Sequence, residues 1–230
     1  TNGGYKGVLA AGWTSAAASG DTVVFTGAAH DTATLAPTGT KESKYVAGTD
    51  KDKVDAVATK NKVDFGAVTV VGDKAVTTVT LNGYKSADVS EVDGLTTLSL
   101  ADSAGAAKVA TAATTLALTV NNVKDAVELT APTLTTLNLT TAGKDSKIAL
   151  TAEAVKTLAV TGDKAADLTG SKLTALTTVT VAGTAGLTLD DKAAAITSIN
   201  TTGTTGAVTA TIDGSKATYT GGAGVDTVTL

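Results

Sequence analysis

Cysteine, methionine and arginine are absent from the 230 residues, and aromatic side chains make up only 3%. Without cysteine there is no disulfide and no thiolate metal ligand, a composition compatible with extracellular life because many secreted bacterial chains avoid thiols. Without arginine there is no planar fork to grip phosphates or base edges. All 18 cationic side chains are Lys, the formal charge is −4 and the pI is about 4.9, so no nucleic-acid partner is expected. Apolar runs such as VLAA at 8–11 fall far short of the roughly 20 residues a membrane helix needs, so no membrane insertion is expected. No basic–apolar–cleavage pattern of a secretory signal opens the chain, and it does not begin with Met; it reads as a processed chain or an excised piece.

What remains is a chain 43% hydrophobic, whose core must come from Val, Leu, Ala and Thr, small or β-branched residues that favour sheets. Seven hexads repeat one pattern: VTTVTL at 76, LTTLSL at 95, ATTLAL at 113, LTTLNL at 134, VKTLAV at 155, LTTVTV at 176 and ITSINT at 196. Their starts lie 18 to 21 residues apart, a repeat of about twenty. Positions four and six are aliphatic apart from Thr201, while positions three and five are small or polar, as in a strand with one buried face.

A weaker apolar segment falls between successive hexads, as in AVELT at 126–130, KIALT at 147–151, ADLTG at 166–170 and GLTLD at 186–190. Two strands and two turns make a coil too small to bury its own apolar face, so coils must stack. The expected fold is all-β: a β-solenoid of coils of about twenty residues over 71–220, with Thr78, Thr97, Thr115, Thr136, Thr157, Thr178 and Ser198 forming one axial ladder. Residues 1–70 are less regular. TVVFTG at 22–27 and FGAVTVVG at 65–72 read as strands, and the region as a β-rich cap or as distorted early coils.

Residues 221–229, GGAGVDTVT, match the pattern G-G-x-G-x-D-x-U-x at every fixed position, with Val228 as the large aliphatic residue. The glycines allow a tight turn that presents carbonyl oxygens, and Asp226 supplies a carboxylate. Calcium takes six or more oxygens, so one loop supplies part of a site: Gly221, Gly222, Gly224 and Asp226 are the candidate metal residues. With the Thr-rich repeats LTTLNLTTAG and LTTVTVAG, this motif resembles the repeats-in-toxin class of type I secreted proteins, above all its bacterial surface-layer members. The resemblance covers roughly 71–230 and rests on a single nonapeptide, where the family usually carries tandem copies near a secretion signal. It implies a calcium-dependent structural subunit that self-associates into a lattice on the bacterial cell surface, with cell-surface polysaccharide as a further partner. It also implies that 221–230 begins a truncated calcium-binding roll. The alternative is a stalk or binding domain of a large type I secreted adhesin.

No enzyme is expected. His30 is the sole histidine and no G-x-S-x-G elbow accompanies it. Asp190 and Asp191 are adjacent, so on a strand they would point to opposite faces rather than converge as paired glycosidase acids. Asp145, Asp163 and Asp167 read as solvating turn acids, and Trp13 and Tyr5 as packing under a cap. An ice-binding face would need Thr at positions three and five together, which only two of the seven hexads provide. A leucine-rich repeat would place Asn or Cys after the strand, where LTTLNL is followed by Thr140, Thr141 and Ala142. Asn138 and Asn200 satisfy the N-x-T glycan pattern, a common chance match in a Thr-rich chain.

Overall fold

In a computed structural model, residues 77–230 are described apart from 83, 85, 93, 104 and 191–194, together with the backbone of seven strands between 5 and 72. His30 and Asp191 lie outside the described residues, as do the side chains of Tyr5 and Trp13. The described chain is all-β, a solenoid of parallel strands with no helix. One sheet runs the length of the molecule, through Thr78–Asn82, Thr97–Ala101, Thr115–Asn121, Thr136–Thr141, Thr157–Gly162, Thr178–Gly183, Ser198–Thr204 and Thr218–Thr220. These are the hexads, followed by one further row.

The intervening segments form two sheets rather than one. Ser86–Val92, Ala107–Ala110, Val127–Thr130 and Leu150–Thr151 belong to a second sheet; Ser146–Lys147, Ala165–Asp167, Gly186–Leu189, Val208–Thr211 and Thr227–Thr229 form a third. The change occurs within the coil that holds both Ser146–Lys147 and Leu150–Thr151. AVELT and GLTLD, similar in sequence, thus lie in different sheets. Toward the N-terminus, Lys53–Val57 and Thr32–Pro37 continue the first sheet in parallel, and Glu42–Val46 and Ala67–Gly72 continue the second. Antiparallel pairs, Tyr5–Leu9 with Thr32–Pro37 and Trp13–Ser19 with Thr22–Gly27, join this end.

The core lies between the sheets. Positions four and six of the hexads are buried, and position one is buried in the five hexads that begin with Leu95, Leu134, Val155, Leu176 and Ile196, as in Leu134, Leu137 and Leu139 or Leu176, Val179 and Val181; each coil adds a layer. The expected ladder holds from Thr115 through Thr136, Thr157, Thr178 and Ser198 and extends to Thr218. It breaks below Thr115, because Thr97 pairs with Ala117. Slipping by two residues keeps every apolar side chain facing inward, so Leu98 still meets Leu118 and Leu100 meets Val120.

The strongest axial linkage is at position two. The Lys156 carbonyl accepts the N–H of Thr177 at 2.9 Å, the N–H of Thr178 at 3.0 Å and the Thr177 hydroxyl at 3.0 Å. The Thr77, Thr114 and Thr177 carbonyls repeat this arrangement with the coil above. Just before the hexads, tight turns close from Leu95 N–H to Val92, Leu134 to Ala131, Val155 to Ala152 and Leu176 to Leu173. At the other end of the strand, Asp102 and Asn122 take left-handed backbone conformations (φ 47° and 56°), which short polar side chains tolerate, and the Asn122 amide donates to the Asp102 carboxylate at 2.6 Å.

Leu158 is fully buried in a middle layer, so Leu158→Ala is expected to cost about 2–5 kcal/mol, read by urea unfolding. Tyr84 is also fully buried, and its hydroxyl has no hydrogen-bond partner among the described residues. Burial pushes that hydroxyl well above the ordinary phenol range; Ser103 nearby lessens the shift and the Asp125 charge adds to it. The unfolded chain therefore loses this proton first, and stability falls as pH rises above about 10. Tyr84→Phe should flatten that alkaline decline and leave neutral-pH stability equal or higher, whereas a large loss at neutral pH would show that the hydroxyl is bonded.

Candidate metal site at the terminal loop

The terminal glycines are placed by close stacking. A Cβ on Gly222 would lie 2.0 Å from the Thr201 carbonyl oxygen, and one on Gly224 would lie 2.0 Å from that of Gly206. Only a residue without a side chain lets the loop settle onto the coil beneath it. Gly221 is looser, its nearest neighbour being Asp226 Oδ2 at 3.3 Å from a built Cβ.

Asp226 reaches across to that lower coil. Its Oδ1 accepts the N–H of Val208 at 3.1 Å, and its Oδ2 accepts the Thr201 hydroxyl at 3.1 Å. Thr201, fully buried, is the hub of the cluster: its hydroxyl oxygen accepts the N–H of Gly222 at 3.0 Å, lies 3.3 Å from the Tyr219 hydroxyl and also reaches the Thr220 carbonyl at 3.2 Å. Partial burial alone would raise the Asp226 carboxyl, but hydrogen bonds from Tyr219, Thr201 and the N–H groups of Val208 and Gly222 together hold it below the usual carboxylate range. Desolvation pushes Tyr219 up to about 12, with Thr201 lowering it and Asp226 raising it.

The loop thus brings Gly221, Gly222, Gly224 and Asp226 together as one turn. The set contains one carboxylate, and among the described residues no three His, Cys, Asp or Glu side chains gather around one point. Calcium needs six to eight oxygens. These residues do not make that shell by themselves, and both Asp226 oxygens already accept hydrogen bonds from the coil below. Thr201 and Tyr219 belong to the site as much as the glycines do. They are 25 and 7 residues from Asp226, and the axial register, rather than any spacing rule, puts them beside it.

The turn acids do more than face solvent. Asp145 accepts the N–H of Ala165 at 2.8 Å. Asp167 accepts both the N–H and the hydroxyl of Thr169 and pairs with Lys147 at 3.5 Å, while Asp163 pairs with Lys164 at 3.6 Å. Asp88 with Ser90, Asn200 with Thr202 and Asp213 with Ser215 form the same two-residue clasp. The D/N-x-S/T spacing is visible in the sequence; at Asp167 and Asp213 it falls at a strand end and a turn, while at Asp88 and Asn200 it lies inside strands Ser86–Val92 and Ser198–Thr204, beside shifts in register. Asp190 is exposed, and its neighbour Asp191 falls outside the described residues.

No family model, curated protein or solved structure matches the chain.

A methyl group at 222 has no room, so Gly222→Ala is expected to lower the thermal midpoint more than an Ala at the loosely surrounded Gly221. For Asp226, the depressed pKa means that its stabilisation is present above the ordinary carboxylate value and disappears as pH falls through the folded value. Asp226→Asn should therefore narrow the stability difference between neutral and acid pH. An unchanged acid profile would show that the carboxylate is not held as described.

Proposed function

We propose that this β-solenoid is a structural segment of a secreted, self-assembling bacterial surface layer, a stiff spacer working outside the cell. The observation that supports it most is the unbroken first sheet. Parallel backbone pairing and an aliphatic core continue coil after coil, which gives a rod resistant to bending. At about 4.8 Å per strand, the seven steps from Thr78–Asn82 to Thr218–Thr220 span about 34 Å.

Calcium dependence is part of the same proposal. Gly221, Gly222, Gly224 and Asp226 would furnish one corner of a calcium site whose other oxygens come from another loop, water or a neighbouring copy. The ion would supply charge neutralisation and cross-linking between turns. The side chains here hold the loop in place for it: Thr201 and Tyr219 orient the carboxylate, and the two stacked glycines bring the turn close to the Thr201, Thr204 and Gly206 carbonyls.

Extracellular calcium modules bind with Kd of about 0.1–1 mM, so 10 mM calcium would stabilise a working site by about 1–3 kcal/mol. The expected outcome of a calcium titration is a higher melting temperature or ordered assembly seen by light scattering and electron microscopy, with both responses lost in Asp226→Ala. A well-folded wild-type chain indifferent to 10 mM calcium would overturn calcium dependence.

A further inference from the structure

The three sheets present unlike outer faces. The second carries an axial column of alternating charge, with Lys108 beside Asp88 on one side and Glu128 on the other, and the third carries Lys147 and Asp167. On the first sheet, from Thr78 to Thr220, every outward position among the described residues is Thr, Ser, Ala, Asn or Gly. The register groups these into columns. One runs Thr115, Thr136, Thr157, Thr178, Ser198 and Thr218, and in another the Thr140 and Thr161 hydroxyls lie 3.3 Å apart. Within these eight strands no charged residue interrupts the face; the next row of the sheet, Lys53–Val57, sets Lys53 in register with Thr78 and Asp55 with Thr80.

We infer that this uncharged face of the first sheet is where a second copy of the chain docks, face to face about a two-fold axis. The inference rests on the self-assembly reading above and specifies its contact. An isologous interface must be self-complementary, and rows of short side chains at an even spacing of about 4.8 Å fit a copy of themselves. Each chain carries a formal charge of −4, yet the copies would meet here without a like-charge contact. Thr and Ala lose little rotamer freedom on docking. Eight strands, each contributing about five residues, give a face of about 34 by 17 Å. Two such faces bury about 1,200 Å² in total, the lower end of the range for specific interfaces. A polyanion would need cations on this face, and a sugar would be expected to stack on aromatics, and neither is present among the outward residues of these eight strands.

Sedimentation velocity on the full chain at rising concentration, with and without calcium, tests this. Wild type is expected to self-associate, and the double variant Thr157→Lys, Thr178→Lys to weaken association by about tenfold or more, since it sets like charges against each other across the axis. Thr209→Lys, on the exposed third sheet, should leave association unchanged. The absence of native cysteine permits a second readout free of lysine's effect on folding. Ala159→Cys, near the centre of the face, should form a disulfide dimer under copper–phenanthroline, and Thr209→Cys should not. If the lysine pair leaves association intact and the two thiols cross-link equally, this face is wrong while self-assembly stands. If wild type stays monomeric at every concentration, both fall together.

Discussion

A coil of about twenty residues can bury its aliphatic side chains only against its neighbours, so the structure depends on the axial hydrogen bonds that keep coils in register. The second-position carbonyls of Thr77, Thr114, Lys156 and Thr177 each take two N–H groups and a threonine hydroxyl from the coil above. Threonine suits this position because it is β-branched enough to favour the strand and also carries a donor that can reach the row below. With that contact fixed, the buried residues two and four places further along fall into layers.

The terminal loop follows the same rule. Gly222 and Gly224 press onto carbonyls of the preceding coil, and Asp226 takes its donors from that coil, so the candidate metal residues are first a device for stacking. Hydrogen bonds from Thr201, Tyr219 and two N–H groups offset the desolvation of this carboxylate and keep it ionised against the stack. Stacking and the proposed ion binding thus draw on the same residues.

The strands of the first sheet could be read from the hexads because burial on one face imposes a period of two, and the hexads repeat it with large aliphatic residues at two successive inward positions. The register could not be read to the same extent. The 18-residue step from 95 to 113 suggested Thr97 over Thr115, but a two-residue slip leaves the inward set unchanged, and the chain pairs Thr97 with Ala117. The split of the intervening segments into two sheets was hidden for a similar reason: ADLTG and AVELT each supply only two or three inward residues, too few to show which side of the coil they close. Gly222, Gly224 and Asp226 stood out as a motif, whereas their partner Thr201 looked like a blemish in an aliphatic position. It is the one polar sixth-position residue, and it is polar because Asp226 and Gly222 bond to it.

The central claim is that successive coils stack in parallel at one fixed axial step, and distances measured along a single column test it most directly. Because the chain has no cysteine, nitroxide pairs can be placed at Thr136 and Ser198, Thr115 and Ser198, and Thr115 and Thr218, which are three, four and five steps apart along the ladder. Pulsed electron spin resonance should return narrow distributions that lengthen by about 4.8 Å per step, from about 14 to about 24 Å between backbones. Broad distributions, or distances that do not increase in proportion to the number of coils between the labels, would contradict the stacked solenoid and the proposals built on it.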